Sequence, residues 1–157
     1  IDIEPMNEKA LVLLDEVLIG GSTTMKKYPN LTPGLMAGDS DVNARLSFPD
    51  GLKSGTNTNL MFQLTENSRP VAKIDPYLGA YGHVVVFMHG DKNFYRHAHN
   101  VANIAPRDGK ISFEANFPMK GMYTAFGQFQ INGQVKTFPI TFEIAGGAGS
   151  MGSDHMK

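Results

Sequence analysis

Apolar and polar positions alternate with a period of two through most of the chain. Ala44, Leu46 and Phe48 alternate with Asn43, Arg45 and Ser47, and Pro49-Asp50-Gly51 then breaks the run. Leu60, Phe62 and Leu64 share one parity, Asn59, Met61 and Gln63 the other. Ile111, Phe113, Ala115 and Phe117 alternate with Ser112, Glu114 and Asn116. Each run is the pattern of a half-buried strand, because successive side chains of a strand leave opposite faces. The sharpest signal is Asn132-Gly133 between two alternating runs, a two-residue hairpin turn. It predicts Ile131 opposite Gln134, Gly127 opposite Phe138, Ala125 opposite Ile140 and Tyr123 opposite Phe142, small residues facing large ones. Pro139 carries no N–H and marks an edge strand or a bulge. Short strands at fairly even spacing, with no long amphipathic helix, predict an all-β antiparallel sandwich.

The first 42 residues read differently. Residues 6–20 half fit a helix stripe through Leu11, Leu14 and Leu18, and half fit a strand; a strand is the expectation. Residues 21–42, rich in Gly, Pro, Ser, Thr and Asp, predict a long loop. One sandwich domain is expected over residues 1–144. Residues 145–157, AGGAGSMGSDHMK, have the look of a flexible linker followed by vector-derived residues, and His155 is set apart with them. The chain starts at Ile1 rather than Met, so either a leader has been removed or the sequence begins inside a longer one.

Composition narrows the function classes. The 157 residues, 41% of them hydrophobic, suit one domain with a proper core. A net charge of −1 argues against nucleic acid or an anionic membrane as partner. No apolar run approaches the roughly 18 residues of a membrane helix, so no membrane insertion is expected. The chain has no cysteine, which excludes disulfides, thiol catalysis and blue-copper centres. No nucleophile elbow, phosphate-binding loop or zinc-protease helix motif is present, and a non-enzymatic protein is expected.

Candidate chemistry gathers in residues 76–100, PYLGAYGHVVVFMHGDKNFYRHAHN, which hold His83, His89, His97 and His99. His97 and His99 stand two apart on a predicted strand, so both imidazoles project to one side. Neutral imidazole ligates zinc, copper and nickel. Whether His83 joins them depends on register. A three-residue loop at Gly90–Lys92 sets Val85 opposite His97 and His83 opposite His99 on one face. A two-residue turn at Asp91-Lys92 sends His83 to the other face. His89, at the turn, is expected in solvent. Thioethers suit Cu(I), and Met88 and Met119 are the candidates for a further ligand, although Met is also ordinary core filler.

The same residues carry a family resemblance. PYLGAYGH, a valine-rich strand and YRHAH, followed by ISFEANFPMKGMYTAFGQFQINGQVKTFPITFEI, resemble the YtkA-like or heavy-metal-associated exported bacterial domains over residues 43–144. The resemblance implies an Ig-like, cupredoxin-like sandwich of about seven or eight strands. It also implies an exported location, periplasmic, extracellular or membrane-anchored, and an association with copper handling. His83, His97 and His99 match the family's recurring histidines, His89 does not, and Asn100 stands where the family usually has Pro. The expected function is metal binding through His97 and His99 with His83, the ion being copper before zinc. The site would serve sequestration or delivery to a membrane-associated metal-handling protein. The alternative is a structural or protein-interaction module without a metal, with residues 21–42 as its contact surface.

Overall fold

The computed structural model describes residues 2–3, 11–12, 33–91, 94–100 and 104–145, with residues 2–3, 11–12 and His99 described by their backbone alone. The chain divides into two compact units, Ile1–Leu31 and Thr32–Lys157. In the first, β1 (Asp2–Ile3) pairs antiparallel with β2 (Leu11–Val12). Leu11 therefore lies in a strand, and the rest of the pattern expected over residues 6–20 falls outside the described residues.

The second unit is all-β. Its strands are β3 (Met36–Asp39), β4 (Val42–Ser47), β5 (Asn57–Glu66), β6 (Arg69–Pro70), β7 (His83–Met88), β8 (Tyr95–Asn100), β9 (Lys110–Asn116), β10 (Gly121–Ile131) and β11 (Gln134–Ile144). They form two antiparallel sheets facing each other in a sandwich. One runs β11-β10-β7-β8, the other β9-β5-β4-β3 with β6 on β5. The sheets are joined where β8 pairs with β9 through His99↔Glu114 and Asn100↔Phe113. On the opposite side the backbone N–H of Gly34 donates to the Thr141 carbonyl at 3.0 Å, bringing the start of the unit against β11. The expected loop over 21–42 is corrected at its end, because Met36–Asp39 is a strand hydrogen-bonded to β4. Its Gly and Asp content hid a strand that buries little and is held by backbone bonds.

The alternation read from the sequence is the alternation of burial. Val42, Ala44 and Leu46, then Leu60, Phe62 and Leu64, then Ile111, Phe113 and Ala115, point inward from three adjacent strands. From the other sheet come Val84, Val86, Tyr123, Ala125, Phe129, Phe138, Ile140 and Phe142. The Asn132-Gly133 hairpin has the expected register from Ile131↔Gln134 to Gly121↔Ile144, and both turn residues take positive φ (51° and 74°), as a tight hairpin requires. At Gly127 a Cβ would lie 2.8 Å from the Phe62 ring. The missing side chain opposite Phe138 is therefore what lets Phe62 cross between the sheets. Aromatic rings fill the centre, with Phe62 edge-on to Phe113 at 5.9 Å and tilted onto Phe129 at 5.3 Å.

Candidate functional site

The outer face of the β11-β10-β7-β8 sheet carries the histidines. Two local features fix His83. Tyr77 and Ala80 exchange both backbone hydrogen bonds (2.7 and 3.1 Å) around Leu78 and Gly79, each at positive φ. This tight turn aims the Tyr77 carbonyl at the start of β7. Gly82 then enters the strand where a Cβ would meet the Phe129 ring at 2.6 Å. His83 follows, half-buried, with Nε2 2.8 Å from the Tyr77 carbonyl oxygen and the Tyr77 ring edge-on at 5.8 Å. A carbonyl oxygen only accepts, so Nε2 carries the proton and the neutral ring keeps its lone pair on Nδ1.

Strands β7 and β8 pair as Val84↔Ala98, Val85↔His97, Val86↔Arg96 and Phe87↔Tyr95. Of the two registers the sequence left open, this is the one that puts His83 and His97 on the same face. Val84, Val86 and Ala98 are buried beneath it. The His83 and His97 rings stack with centroids 6.2 Å apart and planes inclined by 29°. The β7–β8 pairing runs as far as Val84↔Ala98, and next along β8 the backbone of His99 pairs with Glu114 of β9. The His99 side chain lies outside what is described. Among the described residues, no group of three or more His, Asp or Glu side chains converges to hold a metal ion.

The remaining candidates go elsewhere. Met88 lies on the inner face of β7, half-buried against the core. Strand parity puts it opposite to His83, so it cannot share an ion with the pair. Met119 is 42% exposed in the β9–β10 connection, where its carbonyl accepts the Tyr123 hydroxyl at 2.6 Å. That connection meets the Met88 end of β7, since Tyr123 pairs with Met88, while His83 pairs with Gln128 at the other end. Burial pushes the Tyr123 hydroxyl above its usual titration range. His89, expected in solvent, is instead half-buried, with Nε2 2.8 Å from Thr124 Oγ1, which lies 2.8 Å from Thr141 Oγ1. Its backbone N–H donates to the Met122 carbonyl, so His89 ties together β7, β10 and β11.

Two neighbourhoods escaped the sequence reading. Beside the histidines, Phe87 is 43% exposed and edge-on to Tyr95 (5.5 Å) and Phe126 (5.9 Å), an aromatic patch on the same outer face. On the other side of β8, the exposed Glu114 carboxylate accepts a hydrogen bond from Asn57 Nδ2. Asn59, its cross-strand partner on β5, has a buried Oδ1 with no hydrogen-bond partner. The alternation over residues 110–116 already put Glu114 on the outer face. What it lacked was the pairing of β9 with β8.

The molecule is thus an antiparallel β-sandwich with a histidine pair on the outside of one sheet. Residues 37–146, more than half of the chain and the stretch that holds every strand from β4 onward, match a family described as Domain of unknown function (DUF8832). The chain belongs to this family. Comparison with curated proteins and with solved structures found no match.

Proposed function

We propose that the domain is an exported, non-enzymatic binder of a transition metal, copper before zinc, whose site is His83, His97 and His99. The observation that carries this reading is the pair of stacked rings on β7 and β8, one of them held by a backbone carbonyl. An imidazole bound through nitrogen at about 2.0–2.1 Å puts its ring centroid about 3 Å from the metal, so two ligating rings span up to about 6 Å. At 6.2 Å the rings of His83 and His97 are a side-chain rotation from sharing one ion. A ligating histidine commonly donates its other N–H to a carbonyl, which fixes tautomer and orientation. His83 meets that condition through Tyr77, with Nδ1 as its ligating atom. The resemblance to YtkA-like domains supports export and copper, and delivery to a membrane-associated metal-handling protein is the role that goes with it.

Calorimetric titration with Cu(II), Cu(I) and Zn(II) tests the reading, with the His97→Ala/His99→Ala double variant in parallel. Micromolar or tighter binding near one equivalent, lost in a variant that unfolds at the wild-type midpoint, is the expected result. No binding, or binding that survives the substitutions, would overturn it. The second reading, a protein-interaction module, is favoured by the exposed Phe87 ring with half-buried Tyr95 and Phe126 edge-on to it, since aromatic residues are enriched in protein interfaces. It predicts that Phe87→Ser weakens partner capture and leaves metal titrations unchanged.

A further inference from the structure

The turn that leads into β9 sets two cations against each other. Arg107 and Lys110 pair as opposite residues across Asp108 and Gly109, and the Lys110 backbone N–H donates to the Arg107 carbonyl at 3.0 Å. Both turn residues are at positive φ (54° and 65°), the conformation of a two-residue hairpin turn. Opposite residues of an antiparallel pair leave the same face with their Cβ atoms about 5 Å apart, and like charges so placed repel. A third cation shares that face, since Lys110 pairs with Gln63 of β5 and Gln63 with Arg45 of β4. Among the described residues, no carboxylate forms an ion pair with Arg107 or Lys110. Asp108 offers its carbonyl instead, to Gln63 Nε2 at 2.7 Å. The repulsion is therefore left for an outside anion to offset. Beside the pair lies a cleft of about 270 Å³, with Ile104, Pro106 and Ile111 as its apolar lining and Arg107, Lys110 and Ser112 as its polar one. Ile111 is buried, whereas Ile104 is 71% exposed, an apolar side chain open to water next to two cations.

We propose that this cleft binds a small amphipathic anion, a carboxylate on a short aliphatic chain. The head lies between Arg107 and Lys110, and the tail lies over Ile104, Pro106 and Ile111. The planar guanidinium fork matches a carboxylate through two parallel hydrogen bonds, and the ammonium opposite adds a point charge. One bound negative charge also separates two cations that otherwise face each other. The apolar walls give a reason for a hydrocarbon tail, because each methylene taken fully out of water adds up to about fourfold in affinity. The volume sets the length of that tail. It falls below the roughly 300–1,000 Å³ of sites for drug-sized ligands, which suits a chain of a few carbons. None of these residues belongs to the histidine site, so the inference stands apart from the metal reading.

The test is a titration of the full chain, metal-free and at low ionic strength, with hexanoate, acetate and hexylammonium, read from the isoleucine methyl signals in 1H–13C spectra. The expected result is saturable shifts at Ile104 and Ile111 with a Kd for hexanoate at or below about 1 mM. Acetate should bind at least about tenfold more weakly, and hexylammonium should leave both signals in place. The Arg107→Gln/Lys110→Gln double variant should lose at least about tenfold in hexanoate affinity. Both side chains are exposed, so it should unfold at the wild-type urea midpoint. Ile104→Ser, followed at Ile111, is the second variant and should weaken hexanoate while leaving acetate unchanged. No saturable shift with hexanoate, or binding that survives the double variant, would overturn the proposal. Acetate binding as tightly as hexanoate, or hexylammonium competing with it, would overturn the aliphatic carboxylate as its ligand.

Discussion

Tyr77 and His83 show how much a single residue's surroundings decide. The carbonyl 2.8 Å from Nε2 makes His83 a donor at that atom and leaves Nδ1 as acceptor. Long-range 15N–1H spectra of the metal-free protein should therefore show His83 as the Nε2–H tautomer once neutral, and an Nδ1–H signal would sink the assignment. Gly109 is a harder constraint. It sits at φ +65°, and a Cβ there would lie 2.3 Å from the Leu64 carbonyl oxygen and 3.0 Å from the Val71 backbone nitrogen. Neither atom can swing aside as a side-chain tip could. Its own carbonyl accepts the Leu64 N–H at 2.7 Å, locking the β9 entry onto β5. Gly109→Ala should cost about 1–3 kcal/mol in urea unfolding, whereas Gly51→Ala, at φ +81° with nothing within 4 Å, pays only for its backbone conformation. The turn residues Asn132 and Gly133 were legible from type alone. Gly109 was not, because its need comes from atoms 38 to 45 residues away in the chain.

Pairing within one sheet was readable wherever a turn fixed it, and unreadable where two strands met without one. The β10–β11 hairpin needs only Asn132-Gly133. The β7–β8 register was a choice between two slips, settled by burial of Val84, Val86 and Ala98. The β8–β9 junction, which brings Glu114 beside His99, has no short turn in the sequence to announce it. The contact between β11 and the β3–β4 hairpin is of the same kind. Lys136, 7% exposed on β11, sends its ammonium to Asp41 Oδ1 at 3.3 Å and to the Asp39 carbonyl at 3.4 Å. The backbone N–H of Asp41, and then Lys136, hold the Asp41 carboxyl below its usual 3.8. A carboxyl with a lowered folded pKa adds stability that is complete above its unfolded value and is lost as pH falls through the folded one. Wild-type stability should therefore decline below 3.8 partly through this group. Asp41→Asn should flatten that part of the profile when urea midpoints are compared from about pH 6 to about pH 2.5. An unchanged slope would show that the link titrates alike in the folded and unfolded chain. Because the pair is exposed on the Asp41 side, the effect is a matter of slope and not of large stability.

At the scale of the whole molecule, the family span and the physical core coincide. The DUF8832 match covers residues 37–146, and among the described residues the twenty-four buried apolar side chains lie between Val42 and Ile144. The rings of Phe62, Phe113 and Phe129 on one side, and of Phe117, Tyr123 and Phe142 on the other, draw on both sheets. A core of this composition carries its own cooperativity, since each sheet's apolar face is covered by the other. A fragment of residues 32–157 should then unfold in one transition, with a urea slope in proportion to the surface it exposes. It should also show the same His83 tautomer as the whole chain, because Tyr77 and Phe129 both lie inside it. A fragment that is collapsed but non-cooperative would mean that residues 1–31 supply something the sandwich needs. Metal titration of this fragment also bears on function, because every group assigned to the site, from His83 to His99, lies within it. Binding equal to that of the full chain is the expected outcome. Weaker binding by a fragment that folds cooperatively would place a missing ligand in the first 31 residues.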